Sequence, residues 1–243
     1  MPGDTGNNMK YALISDIHAN PLALELVLRD ITLHDIDKLL IAGDFVGYYY
    51  RPDVCFELLE EWNWIGVQGN HDQTLQDFVS GNSVMMQIYR EEYGSGLDEA
   101  VKRLTLNQRK LLSSLPEKRE LLIDEQKVLL CHGSPWSINE RIYPDAKLEV
   151  FTRISSLEYD WVILGHTHYP LVQETNQTLI VNPGSVGQPR DIGGLASWMV
   201  VDFGKRTCQL KRVKFPTQKL IRETKLLDPK VPYLAEVLMR KPR

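Results

Sequence analysis

The sequence has little cysteine, no excess of basic charge and no long apolar run, and each shortage removes a class of protein. Its three cysteines, Cys55, Cys131 and Cys208, are odd in number and widely spaced. They form neither a disulfide framework nor a paired zinc motif, which fits a reducing cytosol and a cytoplasmic location. Cys131 lies inside an apolar run and reads as a small core residue. The net charge of −4 leaves no basic face for bulk nucleic-acid binding, although it allows a small phosphate ester. No stretch reaches transmembrane length, and the polar start Met1 to Asn8 lacks the apolar segment of a signal peptide, so no membrane partner is expected. A chain of 243 residues can bury roughly 70–75% of its unfolded surface, so it needs no covalent staples.

What the chain does have is histidine in a pattern. Of the six, His18, His71, His132, His166 and His168 each follow an apolar run, beside Gly or Asp. Only His34 lies in a charged, helix-like stretch, where it reads as solvated. Packing does not explain five imidazoles at strand ends, whereas proton transfer or metal ligation does.

Tyr11 to Ser15 reads as a strand buried on both faces and ends in Asp16-Ile17-His18. Alternation puts Asp16 and His18 on one side, either as metal ligands or as a salt-bridged pair. Asn20-Pro21 opens an apolar helix. A second buried strand, Lys38 to Ala42, ends in Gly43-Asp44. Strand, helix and strand within about thirty residues make a βαβ unit with a parallel sheet, whose sites lie at the carboxyl ends of its strands. Tyr48-Tyr49-Tyr50 pack as a loop on the body or stack on a ligand ring. A helix over Asp53 to Glu61 precedes a third strand, which ends in Gly69-Asn70-His71-Asp72.

Residues 73–115 read as two or three helices beside the site, with Met85, Met86, Ile88 and Tyr89 forming a buried stripe. The Leu and Met stripes fit a core or an interface equally. A hairpin follows over Glu120 to Ile123 and Lys127 to Leu130, running into Cys131-His132-Gly133-Ser134. Trp161 to Leu164 ends in Gly165-His166-Thr167-His168, and Thr178 to Val181 ends in Asn182-Pro183-Gly184-Ser185. Ser197 to Phe203 and Cys208 to Val213 pair antiparallel. The tail from Lys219 carries one short helix that packs on the surface.

Taken together, Asp16-x-His18, Gly43-Asp44, Gly69-Asn70-His71-Asp72, His132 and Gly165-His166-x-His168 closely resemble the motifs of the calcineurin-like metallophosphoesterase superfamily. Within it, the order of motifs and the segment Asn182-Pro183-Gly184-Ser185-Val186-Gly187 are similar to the small bacterial and archaeal phosphodiesterases. The resemblance implies an α/β fold, a four-layer α/β/β/α sandwich of two mixed β-sheets flanked by helices. It implies one such domain over 9–215, with the helical insertion 73–115, and a tail over 216–243. It also implies two divalent transition-metal ions, Mn in the first place, with Fe, Zn, Ni or Co as alternatives. By the same resemblance Asp16, His18, Asp44 and His168 hold the first ion, and Asp44, Asn70, His132 and His166 the second. The implied reaction is hydrolysis of a small phosphodiester or nucleotide-like substrate by a hydroxide shared between ions roughly 3.5–4 Å apart. His71 then acts on the leaving oxygen.

Two positions depart from the relatives that act on phosphoproteins. Those carry an Asp and an Arg soon after the bridging Asp, where this chain has Gly47 and Tyr48. That disfavours a protein phosphatase and leaves Asp72 as a candidate partner of His71. Arg190 either approaches a phosphate or lies on the surface. A symmetrical dinucleoside polyphosphate hydrolase or a protein phosphatase is the alternative activity, and a non-catalytic metal-binding scaffold ranks last because every ligand position is kept.

Overall fold

The computed structural model describes residues 9–242 apart from residues 37 and 176, so the polar start Met1 to Asn8 lies outside the described residues. The amino-terminal half alternates strand and helix: β1 (Lys10–Ile14), α1 (Pro21–Ile31), β2 (Lys38–Ile41), α2 (Pro52–Glu60) and β3 (Trp64–Gly66). Helices α3 (Asn70–Ser80), α4 (Ser83–Tyr93), α5 (Gly96–Arg103) and α6 (Leu106–Ser114) follow. The second half runs β4 (Lys118–Ile123), β5 (Gln126–Cys131), α7 (Leu148–Ser155), β6 (Trp161–Ile163), β7 (Pro170–Glu174), β8 (Leu179–Pro183), β9 (Leu195–Asp202) and β10 (Thr207–Lys214). It closes with α8 (Gln218–Leu227) and the short α9 (Tyr233–Glu236).

Among the described residues the strands form two five-stranded sheets, ordered β10-β9-β1-β2-β3 and β4-β5-β6-β8-β7. Both are mixed. β1, β2 and β3 are parallel and β9 joins β1 antiparallel, while β5, β6 and β8 are parallel and carry antiparallel edges. The two-residue period of each strand sorts its side chains into separate layers. Leu13, Leu40, Leu130, Ile163, Val181 and Met199 meet between the sheets. Ala12, Ile14, Leu39 and Ile41 face α1 and α2, and Leu129, Val162 and Ile180 face Phe151 and Ile154 of α7. These layers make the α/β/β/α sandwich.

Several local expectations are revised. Four helices, not two or three, fill residues 70–114, and Asn70, His71 and Asp72 form the first turn of α3. The expected stripe is only partly buried: Met85 and Ile88 of α4 are exposed, whereas Tyr89 is buried and Met86 is half-buried against the core. Strand β7 and helix α7 went unpredicted, since β7 is a half-exposed edge strand with a mixed pattern and α7 is a two-turn helix. His34 sits after α1 with its ring 5.5 Å from that of Trp198, so it is half-buried rather than solvated. The three consecutive tyrosines pack into the body.

The tail departs most from expectation. It does not merely coat the surface, because Leu234, Val237 and Leu238 join the helix-side core. Asp228 accepts hydrogen bonds from Tyr50 Oη at 2.7 Å and from the Ser95 N–H at 2.9 Å. Also from the tail, Arg240 donates to the carbonyl of Arg190 at 2.7 Å.

The segment after β2 is fixed by one carboxylate. Asp72 accepts from the N–H groups of Asp44 at 2.9 Å, Phe45 at 3.0 Å, Val46 at 3.2 Å and Gly69 at 2.8 Å. A side chain at position 69 would overlap Asp44 Oδ1, so the close approach of the loops requires glycine there. Asp72→Ala strands these buried donors. We expect it to destabilise the metal-free protein by about 3 kcal/mol or more, read as a lowered urea midpoint. An unchanged midpoint would contradict this role.

Candidate metal centre

Every residue singled out for ligation lies at the carboxyl end of a parallel strand or just beyond it. Asp16 and His18 follow β1, Asp44 follows β2, His132 follows β5, and His166 and His168 follow β6. Asn70 opens α3 after β3. The rotation of side chains toward one point does not come from strand alternation, as expected for Asp16 and His18. β1 ends at Ile14, and both residues are left-handed, with φ of 55° and 48°. Asp44, His166 and His168 are left-handed too, at 56°, 66° and 63°. Such φ values cost L-residues energy and persist only where surrounding bonds impose them. Here those bonds are explicit: the N–H groups of Asp16 and His18 donate to the carbonyls of Gly43 and Asp44, both at 3.0 Å.

One ligand atom from each of Asp16, His18, Asp44 and His168 lies within 4.8 Å of the others. The same holds for Asp44, His132 and His166, so Asp44 belongs to both groups. Asn70 joins the second group, with Oδ1 3.1 Å from His132 Nε2. Thus all seven proposed ligand positions converge.

The hydrogen bonds around the rings decide what this cluster can hold. His18 Nδ1 lies 3.0 Å from the carbonyl of Val46, His168 Nδ1 2.7 Å from that of Gln188, and His132 Nδ1 2.6 Å from that of Ala42. A carbonyl only accepts, so each Nδ1 carries the hydrogen and each neutral ring presents a lone pair at Nε2. Those lone pairs point at other acceptors. His18 Nε2 and His168 Nε2 are 3.1 Å apart, His168 Nε2 is 3.1 Å from Asp16 Oδ1, and His132 Nε2 is 3.2 Å from Asp44 Oδ2. Asp16 Oδ1 and Asp44 Oδ2 are buried and accept no hydrogen bond among the described residues. Buried acceptors aimed at acceptors are repulsive unless a cation lies among them. The mixture of imidazole, carboxylate and one amide oxygen suits a borderline divalent metal.

Protonation follows the same geometry. Burial alone would raise the Asp44 carboxyl, but the imidazoles of His132, His71 and His18 outweigh it and hold the group ionised. Asp16 is likewise held below the carboxylate range, with His168 as the main opposing influence to burial. Burial would depress His132, yet Asp44 and then Asp16 push it up to about 9. Burial and the Arg190 charge push His168 down to about 3, and burial and His132 push His166 down to about 4. Without a metal, the acceptor pair of His132 Nε2 and Asp44 Oδ2 is thus relieved by a proton on Nε2, and the neutral, ligating ring forms only when that proton leaves.

His71 stands beside the cluster, its Nε2 4.0 Å from Asp44 Oδ2 and its backbone N–H donating to Asp44 Oδ1 at 2.9 Å. Burial holds its imidazole well below the ordinary range. Asp72 is not its partner, because that carboxylate is spent on backbone N–H groups. The partner is Tyr89 of α4, whose Oη lies 2.5 Å from His71 Nδ1. Burial also keeps the Tyr89 phenol protonated, so its O–H can donate to Nδ1 and leave the ring hydrogen on Nε2. Gly47 makes this possible: a Cβ there would meet His71 Nδ1 at 2.7 Å and Tyr89 Oη at 2.8 Å. The sequence signal was the bare glycine itself, which leaves room for a group supplied from elsewhere.

Arg190 is not a surface residue. Its Nη2 donates to Tyr48 Oη at 2.9 Å, and the Tyr48 ring packs 4.6 Å from those of His18 and His71.

Comparisons with known proteins agree with this geometry. The family model for the calcineurin-like phosphoesterase superfamily domain matches residues 9–206. An uncharacterized protein of Methanocaldococcus jannaschii is 34% identical over 86% of this chain and 88% of its own. A phosphodiesterase of the same organism is 23% identical over 72% of this chain and 83% of its own. A metallophosphoesterase from Sphaerobacter thermophilus, solved by crystallography, superposes with a TM-score of 0.73 at 27% identity, covering 96% of this chain and 98% of that one. Fold and site thus define a metal-binding phosphoesterase. The chain belongs to the calcineurin-like phosphoesterase superfamily. Among the described residues no helix is long and apolar enough to cross a membrane.

Because His132 holds a proton up to about 9, metal uptake must displace it. Uptake should release about one proton, and apparent affinity should weaken about tenfold for each unit the pH falls below that value. Calorimetry in buffers of different ionisation enthalpy measures the release; proton-independent uptake would refute it.

Proposed function

We propose that the chain is a binuclear metal-dependent phosphodiesterase. The observation that carries the reading is the set of imidazole lone pairs and orphaned carboxylate oxygens converging in two groups that share Asp44. One group is Asp16, His18, Asp44 and His168; the other is Asp44, Asn70, His132 and His166. Two divalent ions held there, manganese first among the candidates, would lower the pKa of water and offset charge on phosphoryl oxygens. The phosphodiesterase relative supports the choice of ester, as does the glycine at position 47.

The remaining steps belong to the chain's own residues. The carbonyls of Val46, Gln188 and Ala42 hold His18, His168 and His132 in the ligating tautomer. His71, fixed by Tyr89, directs Nε2 toward the reaction centre and serves the departing oxygen. Tyr48 and Tyr93 wall the imidazole, with ring centroids 4.6 and 5.3 Å away, and restrict water around it.

Asp44→Asn should lose most bound metal and most activity together, measured by metal content and by bis-p-nitrophenyl phosphate hydrolysis with added Mn. Retained metal would sink the shared-ligand assignment. His71→Ala should keep the metal and slow turnover by about 10²–10⁴-fold. Tyr89→Phe should cost about tenfold to hundredfold in kcat and shift the pH–rate profile, since the phenylalanine keeps the packing and deletes only the bond to Nδ1. A flat pH profile with full activity would remove Tyr89 from the mechanism.

A further inference from the structure

Beside the metal cluster lies a cleft of about 590 Å³. Tyr143, Tyr169, Tyr233, Arg190 and Arg240 line it, with Asp145 at the rim. The aromatic and arginine side chains are half-buried, whereas Asp145 is exposed. Four pieces of chain build it: the loop before α7, the segment after β6, the segment after β8, and the C-terminal tail. Tyr143 and Tyr169 stand edge to face with centroids 5.8 Å apart.

The cleft adjoins the reaction centre through two residues. Tyr169 directly follows His168. Arg190 lies in the cleft wall, and Tyr48, which accepts its hydrogen bond, packs on His18 and His71. Among the described residues the two guanidinium groups make no ion pair. Every hydrogen bond they donate goes to a neutral oxygen: Arg190 to Tyr48 and Gln188, Arg240 to Tyr169 and the Arg190 carbonyl. Arg190 Nε is buried and donates to nothing among the described residues. Withdrawing a guanidinium from water without an anion is costly, so two of them facing one cleft imply that an anion is met there during function. Planar guanidinium donors match a phosphate, and half-buried tyrosines offer faces on which an aromatic ring can lie.

We infer that this cleft is a second subsite, which takes the organic arm of the substrate, an aromatic ring carrying a further phosphate-class anion, on Arg190, Arg240 and the three tyrosines. The inference rests on the phosphodiesterase reading for what happens next door, and it narrows the substrate to nucleotide-like esters bearing a second anionic group. It also gives the tail a role in specificity: Arg240 comes from the last turn of the chain, docked by Leu234, Val237 and Leu238.

The probe is thymidine 3′,5′-bisphosphate, titrated by calorimetry into metal-free protein. Wild type should bind it, Arg240→Gln should weaken Kd by about tenfold to hundredfold, and Tyr233→Ala should weaken it as well. Lys241→Gln, on the same tail but exposed, should keep the wild-type Kd and controls for loss of bulk charge. No binding to wild type, equal Kd in Arg240→Gln, or an equal loss in Lys241→Gln would each overturn the subsite. In the metal-loaded enzyme, Arg240→Gln should also lower the ratio of kcat/KM for 3′-phosphothymidine 5′-(p-nitrophenyl phosphate) to that for bis-p-nitrophenyl phosphate. An unchanged ratio would assign Arg240 a structural part only. Because the titration needs neither metal nor turnover, its failure is distinct from failure of the phosphodiesterase reading, which would show as no Mn-dependent hydrolysis of either ester.

Discussion

The structure depends on forcing like polarity together. Two buried carboxylates and several imidazole lone pairs face a common space, an arrangement that repels itself in a medium of low dielectric. The chain tolerates it only because each group is pinned from behind. Backbone carbonyls hold the Nδ1 hydrogens of His18, His132 and His168, while the left-handed turns are locked by hydrogen bonds from one strand-end loop to the next. Asp72 is central to that locking, since one carboxylate spans the loop after β2 and the start of α3. The two sheets supply the rigid base from which these loops project.

This explains why the site lies where the two sheets bring their parallel strands to the same end. Parallel strands collect their carboxyl ends on one edge, and each sheet contributes part of the set. The first gives Asp16, His18 and Asp44, with Asn70 opening the helix beyond β3, and the second gives His132, His166 and His168. Asp44 can serve both groups because it sits at the seam, near His132 of one sheet and His18 of the other. A cation held there would draw its ligands from both sheets and so link them.

The substitution at position 47 has been answered from another element. Position 47 is glycine, and a tyrosine hydroxyl from α4 occupies the space beside it and contacts His71 Nδ1. A neutral phenol held protonated by burial fixes a tautomer as an acid would, but without adding a negative charge beside Asp44. Arg190 similarly arrives from the loop after β8. Tyr89 thus comes from a helix and Arg190 from a loop, each far in sequence from the ring or cleft it meets.

The sequence by itself determined the order of β1–α1–β2–α2–β3, the paired β9 and β10, and the identity of the converging residues. Each of these is local: apolar runs set the strands, and polar residues at their ends stand out against the run before them. The tertiary structure alone decided the partners. Asp72, adjacent in sequence to His71, turned away to cap backbone N–H groups, and Tyr89, read as one member of an apolar stripe, became the imidazole's partner. Met85 and Ile88 stayed exposed because α4 turns the narrow stripe of Met86, Tyr89 and Tyr93 inward instead. The left-handed turns at Asp16 and His18, and the return of Arg240 to a cleft built by residues far from it in the chain, follow from long-range hydrogen bonds and packing. No spacing along the chain encodes them, because the groups that impose them lie in other elements.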